Sequence, residues 1–242
     1  MEARAVARGA FDQELAQLQQ EILRMGSLVE RAVELAVQSL RDGDVQLAVQ
    51  IIDDDDLVDQ LEMELEQRCI RLIALQQPLA TDLRTIGSVL KLITDLERVA
   101  DYATNIAEIT VRLAGAPLFK PLVDIPRMAR MAQQMLRQSL DAFVQRDVEL
   151  AESVCRADDP VDELFASLYE ELMGYVDAGD RQRITQAINL IFVARYLERI
   201  ADHATNIGER VIYMVTGKRV AHQLRGRILG SQRARQGAAG DP

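Results

Sequence analysis

Residues 96–108 read LERVADYATNIAE, and residues 197–209 read LERIADHATNIGE. The offset is 101 residues, and most positions are identical or conservatively replaced. The likeness extends upstream more weakly, because DVQLA at 44–48 matches DVELA at 147–151 and DDLVD at 55–59 matches DDPVD at 158–162. The offset there is 103, so a small length difference separates the two parts. Self-similarity at a fixed period marks a repeat architecture, and the chain is therefore predicted to be a tandem duplication.

The first repeat has the apolar periodicity of three long helices. Apolar residues recur at helical spacing over residues 15–40 and again over 47–75. Asp44 is a plausible N-cap for the second of these helices, and Pro78 ends it. A third helix is predicted to open at Thr81 or Asp82 and to close near Gly115.

The second repeat follows the same plan. A helix is predicted over about 122–145, Asp147 caps the next, and the turn at 179–180 precedes a last helix that ends near Gly217. Short connections between long helices favour antiparallel neighbours, so the fold class is all-α, a tandem repeat of two antiparallel three-helix bundles. The proline-rich stretch 115–126 is the natural joint, although the long helices could equally pack side by side across it. The predicted domains are residues 11–116, 122–217 and a basic tail, 218–242.

Charge is distributed unevenly along the chain. The net charge is −10, and the segment after Gly217 holds six Lys and Arg residues against Asp241, which leaves about −15 on the remainder. An acidic body disfavours nucleic acid as a partner. The tail is predicted to be disordered, and it either touches an anionic membrane or an acidic partner or only aids solubility. Two distant cysteines, and no signal peptide or membrane span in the sequence, favour a cytoplasmic protein.

Two stripes of acidic and amide side chains accompany the repeated motif. They comprise Glu97, Asp101, Asn105 and Glu108 in the first repeat, and Glu198, Asp202, Asn206 and Glu209 in the second. Spacings of four, four and three place each set on one face of a helix. The preceding helices add two further pairs at a spacing of four, Asp55 with Asp59 and Asp158 with Asp162. Convergence of these oxygens would suit Mg²⁺, Mn²⁺, Ca²⁺ or ferric iron better than zinc or copper.

A plainer interpretation of the stripes stays open. Arg98 and Arg199 lie three residues before Asp101 and Asp202 and can pair with them along the helix, as on an ordinary solvated face. The two asparagines can bond across to a neighbouring helix. His203 replaces Tyr102 of the first repeat, which argues against a histidine ligand that the site requires.

A second motif, QPLATDLR at residues 77–84, enters the third helix. Asp82 suits a helix N-terminus, and Arg84 could bind an acidic partner or a carboxylate of the stripe. A capped turn with a surface arginine is the alternative. The second repeat is only loosely similar here.

Together these residues resemble the PhoU family, over roughly residues 11–217. The resemblance implies two packed three-helix bundles in a cytoplasmic negative regulator of phosphate uptake. It also implies that the protein is peripheral to the membrane through two partners, the ATPase subunit of the phosphate ABC transporter and a sensor histidine kinase of the phosphate regulon. It further implies that a metal ion (Mg, Mn, Fe or Zn) is bound by the E(D)xxxD pairs. These are Glu97–Asp101, Glu198–Asp202, Asp55–Asp59 and Asp158–Asp162. We also expect a homodimer.

The sequence is compatible with more than one kind of function. An adaptor without catalysis is favoured, because the sequence holds no Gly-rich phosphate loop, no Ser-His-Asp set and no cysteine nucleophile with a base. A carboxylate-bridged di-metal enzyme is the alternative, but such sites use Glu-x-x-His pairs where this chain has Glu-x-x-x-Asp. A passive scaffold, or a regulator of another signal on the same fold, also remains open.

Overall fold

The computed structural model describes residues 2–115, 117–176 and 180–219. These residues form α1 (Glu2–Asp42), α2 (Val45–Asp54), α3 (Asp56–Gln76), α4 (Ala80–Arg112), α5 (Asp124–Gln145), α6 (Val148–Arg156), α7 (Asp159–Val176) and α8 (Arg181–Thr216). The all-helical tandem repeat is thus confirmed. No helix among the described residues is both long and apolar enough to cross a membrane. The predicted turn residue Gly179 and the predicted tail beyond residue 219 lie outside the described residues.

One detail of the predicted helices is wrong, because the second helix of each unit is interrupted. α2 gives way to α3 at Asp55, which keeps helical angles (φ −61°, ψ −38°). The interruption falls within four consecutive aspartates, which have low helix propensity and repel one another. In the second unit α6 ends at Arg156 and α7 begins at Asp159, beside Pro160, whose ring disfavours a helical residue before it.

The predicted caps Asp44 and Asp147 are confirmed, whereas α4 begins at Ala80, after Leu79 and without a side-chain cap, rather than at Thr81 or Asp82. Asp44 and Asp147 each accept a hydrogen bond at 3.0 Å from the backbone N–H three residues on, and Asp180 accepts one at 3.0 Å from the Gln182 N–H. Such caps satisfy donors that a helix start otherwise leaves unpaired. Gly217 closes α8 in the left-handed region at φ 71°, and its N–H bonds to the Tyr213 carbonyl at 2.8 Å.

The two units pack side by side and share one core. α4 lies against α8 and runs antiparallel to it, since the Tyr102 ring stacks on Tyr196 while His203 contacts Asp95. With the repeat offset of 101, these two contacts are counterparts, so the units are related by an approximate two-fold axis. α3 packs on α4 and α7 packs on α8, while α1 packs on α4, α5 packs on α8, and α1 and α5 contact each other. The apolar core is continuous through both units.

Candidate functional site

The structure brings the four predicted carboxylates of the first unit together where α3 packs on α4. Burial, followed by the charges of Asp59 and Asp101, raises the pKa of Asp55. Burial and then the charge of Asp101 raise the pKa of Glu97 to about 7, with smaller contributions from Glu62 and Asp59. The charges that act on Asp55 and Glu97 come from both helices, which places these carboxylates near one another where α3 packs on α4.

The second unit repeats the arrangement where α7 packs on α8. Burial, then the charges of Asp162 and Asp202, raise the pKa of Asp158 to about 7. Burial and then Asp202 raise the pKa of Glu198 to about 7, and burial and then Asp202 also raise that of Asp162. Glu198 is only 8% exposed, so this cluster holds a carboxylate with little access to water.

Arginines neutralise part of each cluster. Arg98 reaches Asp101 at 2.9 Å and Glu97 at 3.4 Å, and Arg199 reaches Asp202 at 3.1 Å. The second unit adds Arg195, which bonds to Glu198 at 2.5 Å. Arg98 and Arg199 thus pair with the aspartates of their own helix, as the plainer interpretation proposed. In both clusters, however, the carboxylates outnumber these arginines. The negative charge of each cluster is therefore only partly compensated.

Unpaired oxygen atoms distinguish the second cluster from the first. In the first unit the Thr104 hydroxyl donates a hydrogen bond to Asp55. In the second, the counterpart atoms, Thr205 Oγ1 and Asp158 Oδ1, are buried without a hydrogen-bond partner among the described residues. Glu198 Oε2 lacks one too, with Arg199 Nε at 4.0 Å, beyond hydrogen-bond distance. Buried polar atoms of this kind are normally satisfied by a partner, by water or by an ion.

These observations fit a hard cation in the clusters. The donors are carboxylate and hydroxyl oxygens, the set preferred by Mg²⁺, Mn²⁺, Ca²⁺ and iron, and burial followed by neighbouring carboxylates raises the pKa of Asp158 and of Glu198. Within the described residues, however, no three acidic, histidine or cysteine side chains form a group that could hold a metal as they stand. A cation would therefore have to draw the side chains together and displace the arginines.

The remaining residues of the two stripes lie outside the clusters. Asn105 donates to the backbone carbonyl of Asp101 at 2.7 Å, within its own helix. Asn206 bonds to Asp95 at 3.4 Å and so bridges α8 to α4, as the plainer interpretation expected. Glu108 is half-exposed and lies 3.9 Å from Arg112, while Glu209 lies near Cys155.

The QPLATDLR motif does not join the carboxylate clusters. Asp82 lies in the first turn of α4, and Arg84 packs its guanidinium against Gly217, where α8 ends. One Arg84 Nη lies 3.4 Å from the Thr81 hydroxyl. At 1.5 Å of rise per residue, Arg84 is about 20 Å along α4 from Glu97, so it pairs with no carboxylate of that stripe.

Two residues near the site escaped the sequence interpretation. Glu62 adds its charge to Glu97, and its position three residues after Asp59 could have indicated this. Asp95 binds His203 Nδ1 at 2.8 Å across the α4–α8 seam, a contact between units that no local pattern predicts. His203 is thereby engaged away from the carboxylate clusters, 5.7 Å from the Tyr102 ring.

Known proteins similar to this chain share one family description. The family model for the PhoU domain matches residues 22–110 and 125–211. A phosphate-specific transport system accessory protein PhoU homolog from Clostridium acetobutylicum is 39% identical over 216 residues, covering 89% of this chain and 98% of that protein. Another, from Aquifex aeolicus, is 44% identical over 210 residues, and the match covers 87% of this chain and 95% of that protein.

Solved structures share the fold. The crystal structure of PhoU from Pseudomonas aeruginosa superposes with a TM-score of 0.82 at 38% identity, covering 86% of this chain and 100% of that one. The phosphate transport system regulatory protein PhoU from Streptococcus pneumoniae gives a TM-score of 0.81 at 31% identity. That match covers 87% of this chain and 99% of the other. Both likenesses extend over two full units of the kind described above.

Proposed function

The chain belongs to the PhoU domain family, and from this premise we propose that it is an accessory protein and negative regulator of phosphate transport. Its relatives are named as accessory proteins of the phosphate-specific transport system, and a structural neighbour is named as a regulatory protein. They match almost their full length, which supports carrying the role to the whole chain. We place the protein in the cytoplasm, where the transporter's ATPase subunit would be accessible.

The paired carboxylate clusters are the observation that carries a docking role. Two copies of the same acidic group, each only partly neutralised by arginines, lie beside one antiparallel helix pair, α4 and α8. Holding like charges together costs stability, and the cost recurs in both units. An adaptor between the ATPase subunit and a sensor histidine kinase would use such a surface. Ample phosphate would then keep uptake and starvation signalling low.

The thiols and the histidine support a role without catalysis. Burial raises the pKa of Cys69 and that of Cys155 to about 12, which makes both poor nucleophiles near neutral pH. His203 is held by Asp95 rather than by the carboxylates that a di-metal enzyme would use. No observation favours the di-metal enzyme as a second candidate.

Metal binding at the clusters forms part of the proposal. Asp55, Asp59, Glu97 and Asp101 would hold a cation in the first unit, and Asp158, Asp162, Glu198 and Asp202 in the second. The cation would supply positive charge that offsets the carboxylate repulsion. Arg98 and Arg199, which now pair with Asp101 and Asp202, would then be free to contribute to the docking surface.

The test is a phosphate-starvation reporter in a bacterial strain that lacks its own regulator of this family, grown in high phosphate. The parent chain should silence the reporter, and the double variant Asp101→Ala with Asp202→Ala should silence it less. A matched control replaces two exposed acidic residues of α1 and α5, Glu34→Ala with Asp141→Ala, and should behave like the parent.

Direct metal binding is measured on the same proteins by titration calorimetry with Mn²⁺ and Mg²⁺. Weaker binding by the Asp101 and Asp202 double variant, with an unchanged circular dichroism spectrum, is expected. If that variant binds metal and silences the reporter as the parent does, the clusters have no part in the function. A reporter that stays on with folded parent protein, alongside a regulator from one of the relatives that does silence it, would contradict the proposed role.

A further inference from the structure

A band of five apolar side chains, three of them exposed and two half-buried, lies on the second unit. We call it the α7–α8 face, and its members are Phe165 and Tyr169 on α7 and Ile188, Phe192 and Tyr196 on α8. Each set is spaced by four residues, so each forms one stripe along its helix. Tyr169, Ile188 and Phe192 are 39%, 42% and 48% exposed. The rings are in contact, with centroids 6.2 Å apart for Phe165–Tyr169 and 6.4 Å for Phe192–Tyr196.

The first unit has no such band at the equivalent positions. The counterparts in the first unit, in the same order, are Glu62, Glu66, Gly87, Lys91 and Asp95. The buried positions of the same helices do stay apolar, since Leu168 corresponds to Leu65 and Val193 to Leu92, all of them buried. The fold of a unit therefore requires the core residues but not the exposed rings. Packing within the unit explains Phe165 and Tyr196, which lie half-buried against the core, but not the exposed Tyr169, Ile188 and Phe192.

The edge of this face carries negative charge. α7 contains Asp159, Asp162, Glu163, Glu170 and Glu171 and has no lysine or arginine, although Lys120 from outside the helix pairs with Glu171. A second copy of the chain would bring the same acidic edge to the contact, and like charges oppose such pairing. A basic edge on a different protein would complement it.

The face also shows how it would hold a guanidinium. Arg195 lies over the Phe165 ring, 5.7 Å from its centroid, and bonds to Glu198 at 2.5 Å. An arginine held between an aromatic ring and a carboxylate combines cation–π attraction with a charge-assisted hydrogen bond. Tyr169 and Phe192 expose further rings beside the acidic edge of α7.

We propose that the α7–α8 face binds an amphipathic helix of a partner protein, with apolar side chains on one side and arginines along an edge. Apolar stripes at a spacing of four are the pattern that receives a helix in a groove, and exposed aromatic residues supply the strongest anchors in such contacts. Tyr196 stacks on Tyr102 of α4 at 5.8 Å, so the face extends to the seam between the units. The inference rests on the proposed docking role, and it assigns that docking to one unit.

The test measures binding of two synthetic 18-residue helical peptides to the full-length protein by fluorescence anisotropy. Both peptides carry the same leucine stripe, and one bears arginines where the other bears glutamates. The double variant Tyr169→Glu with Phe192→Lys installs the residues that the first unit already holds at these positions. The matched control is Glu66→Ala with Lys91→Ala in the first unit.

The parent should bind the arginine peptide at least about tenfold more tightly than the glutamate peptide, and the double variant should weaken binding by about tenfold or more. The control should stay within about twofold of the parent. If the double variant does not fold by circular dichroism, Phe192→Ala alone provides the same comparison.

Three outcomes overturn the inference. They are no preference between the two peptides, a variant that binds as the parent does, and a parent dimer in sedimentation that the variant converts to monomer. The last outcome would mean that a second copy covers the face. Because peptide binding requires no phosphate signalling, its result stands apart from that of the starvation reporter, so failure of one is distinguishable from failure of the other.

Discussion

Replacing Glu198 by glutamine should stabilise the metal-free chain near pH 7.5. Burial and then the charge of Asp202 raise the pKa of Glu198 from 4.5 to about 7. Because the folded chain then binds more protons than the unfolded chain between pH 4.5 and 7, its stability falls as pH rises through this range. Glutamine keeps the size of the side chain and an oxygen acceptor for Arg195 but removes the charge.

The magnitude follows from the same values. A rise from 4.5 to about 7, at 1.36 kcal/mol for each pKa unit, sets an upper limit of about 3.4 kcal/mol. Coupling to the other carboxylates and the screening of a side chain that retains 11% exposure reduce this to about 1–2 kcal/mol. For a chain of this size that corresponds to a melting temperature higher by about 2–8 °C. At pH 5 the gain should nearly vanish, because Glu198 is then already protonated in the folded state.

The assay is thermal and urea unfolding followed by circular dichroism at pH 5 and pH 7.5, with chelator present. Glu108→Gln, on a half-exposed carboxylate of the first unit, is the control and should change neither value. Added Mn²⁺ should stabilise the parent more than Glu198→Gln, because the variant has lost a ligand. Destabilisation by Glu198→Gln at pH 7.5, or an equal gain at both pH values, would refute the reasoning.

Three further predictions test local features of the second unit. Asp147→Ala should lower the free energy of unfolding by about 1 kcal/mol in urea titrations, since it removes the cap of α6. Gly208→Ala should lower the melting temperature, because the added Cβ would lie 3.0 Å from the Ala151 carbonyl oxygen. Gly174→Ala is the control: its added Cβ would meet no atom within 4 Å, and it should raise the melting temperature slightly. Cys155, whose pKa burial raises to about 12, should react with iodoacetamide at pH 8 far more slowly in the folded chain than in urea.

The local features of the fold could be predicted from the sequence. Helical periodicity, proline and glycine breaks and aspartate caps depend on residues within a few positions of each other, and α5 and α8 match those expectations. α4 begins at Ala80 rather than at Thr81 or Asp82, and α1 extends back to Glu2, before the apolar pattern begins. The interruption at Asp55 was missed because the apolar spacing continues through it. The pairing of Arg98 with Asp101 was foreseen for the same local reason, as both lie on one helix.

The sequence by itself determined that this is a duplicated helical chain and which carboxylates share a helix face. Only the tertiary structure decided that α3 brings Asp55 and Asp59 to Glu97, that α4 and α8 meet antiparallel, and that Asp95 holds His203. It also decided which carboxylates lose water and therefore have raised pKa values. Spacing along one helix is fixed by the backbone, whereas distances between helices and the burial of a charge are set by how the whole core packs.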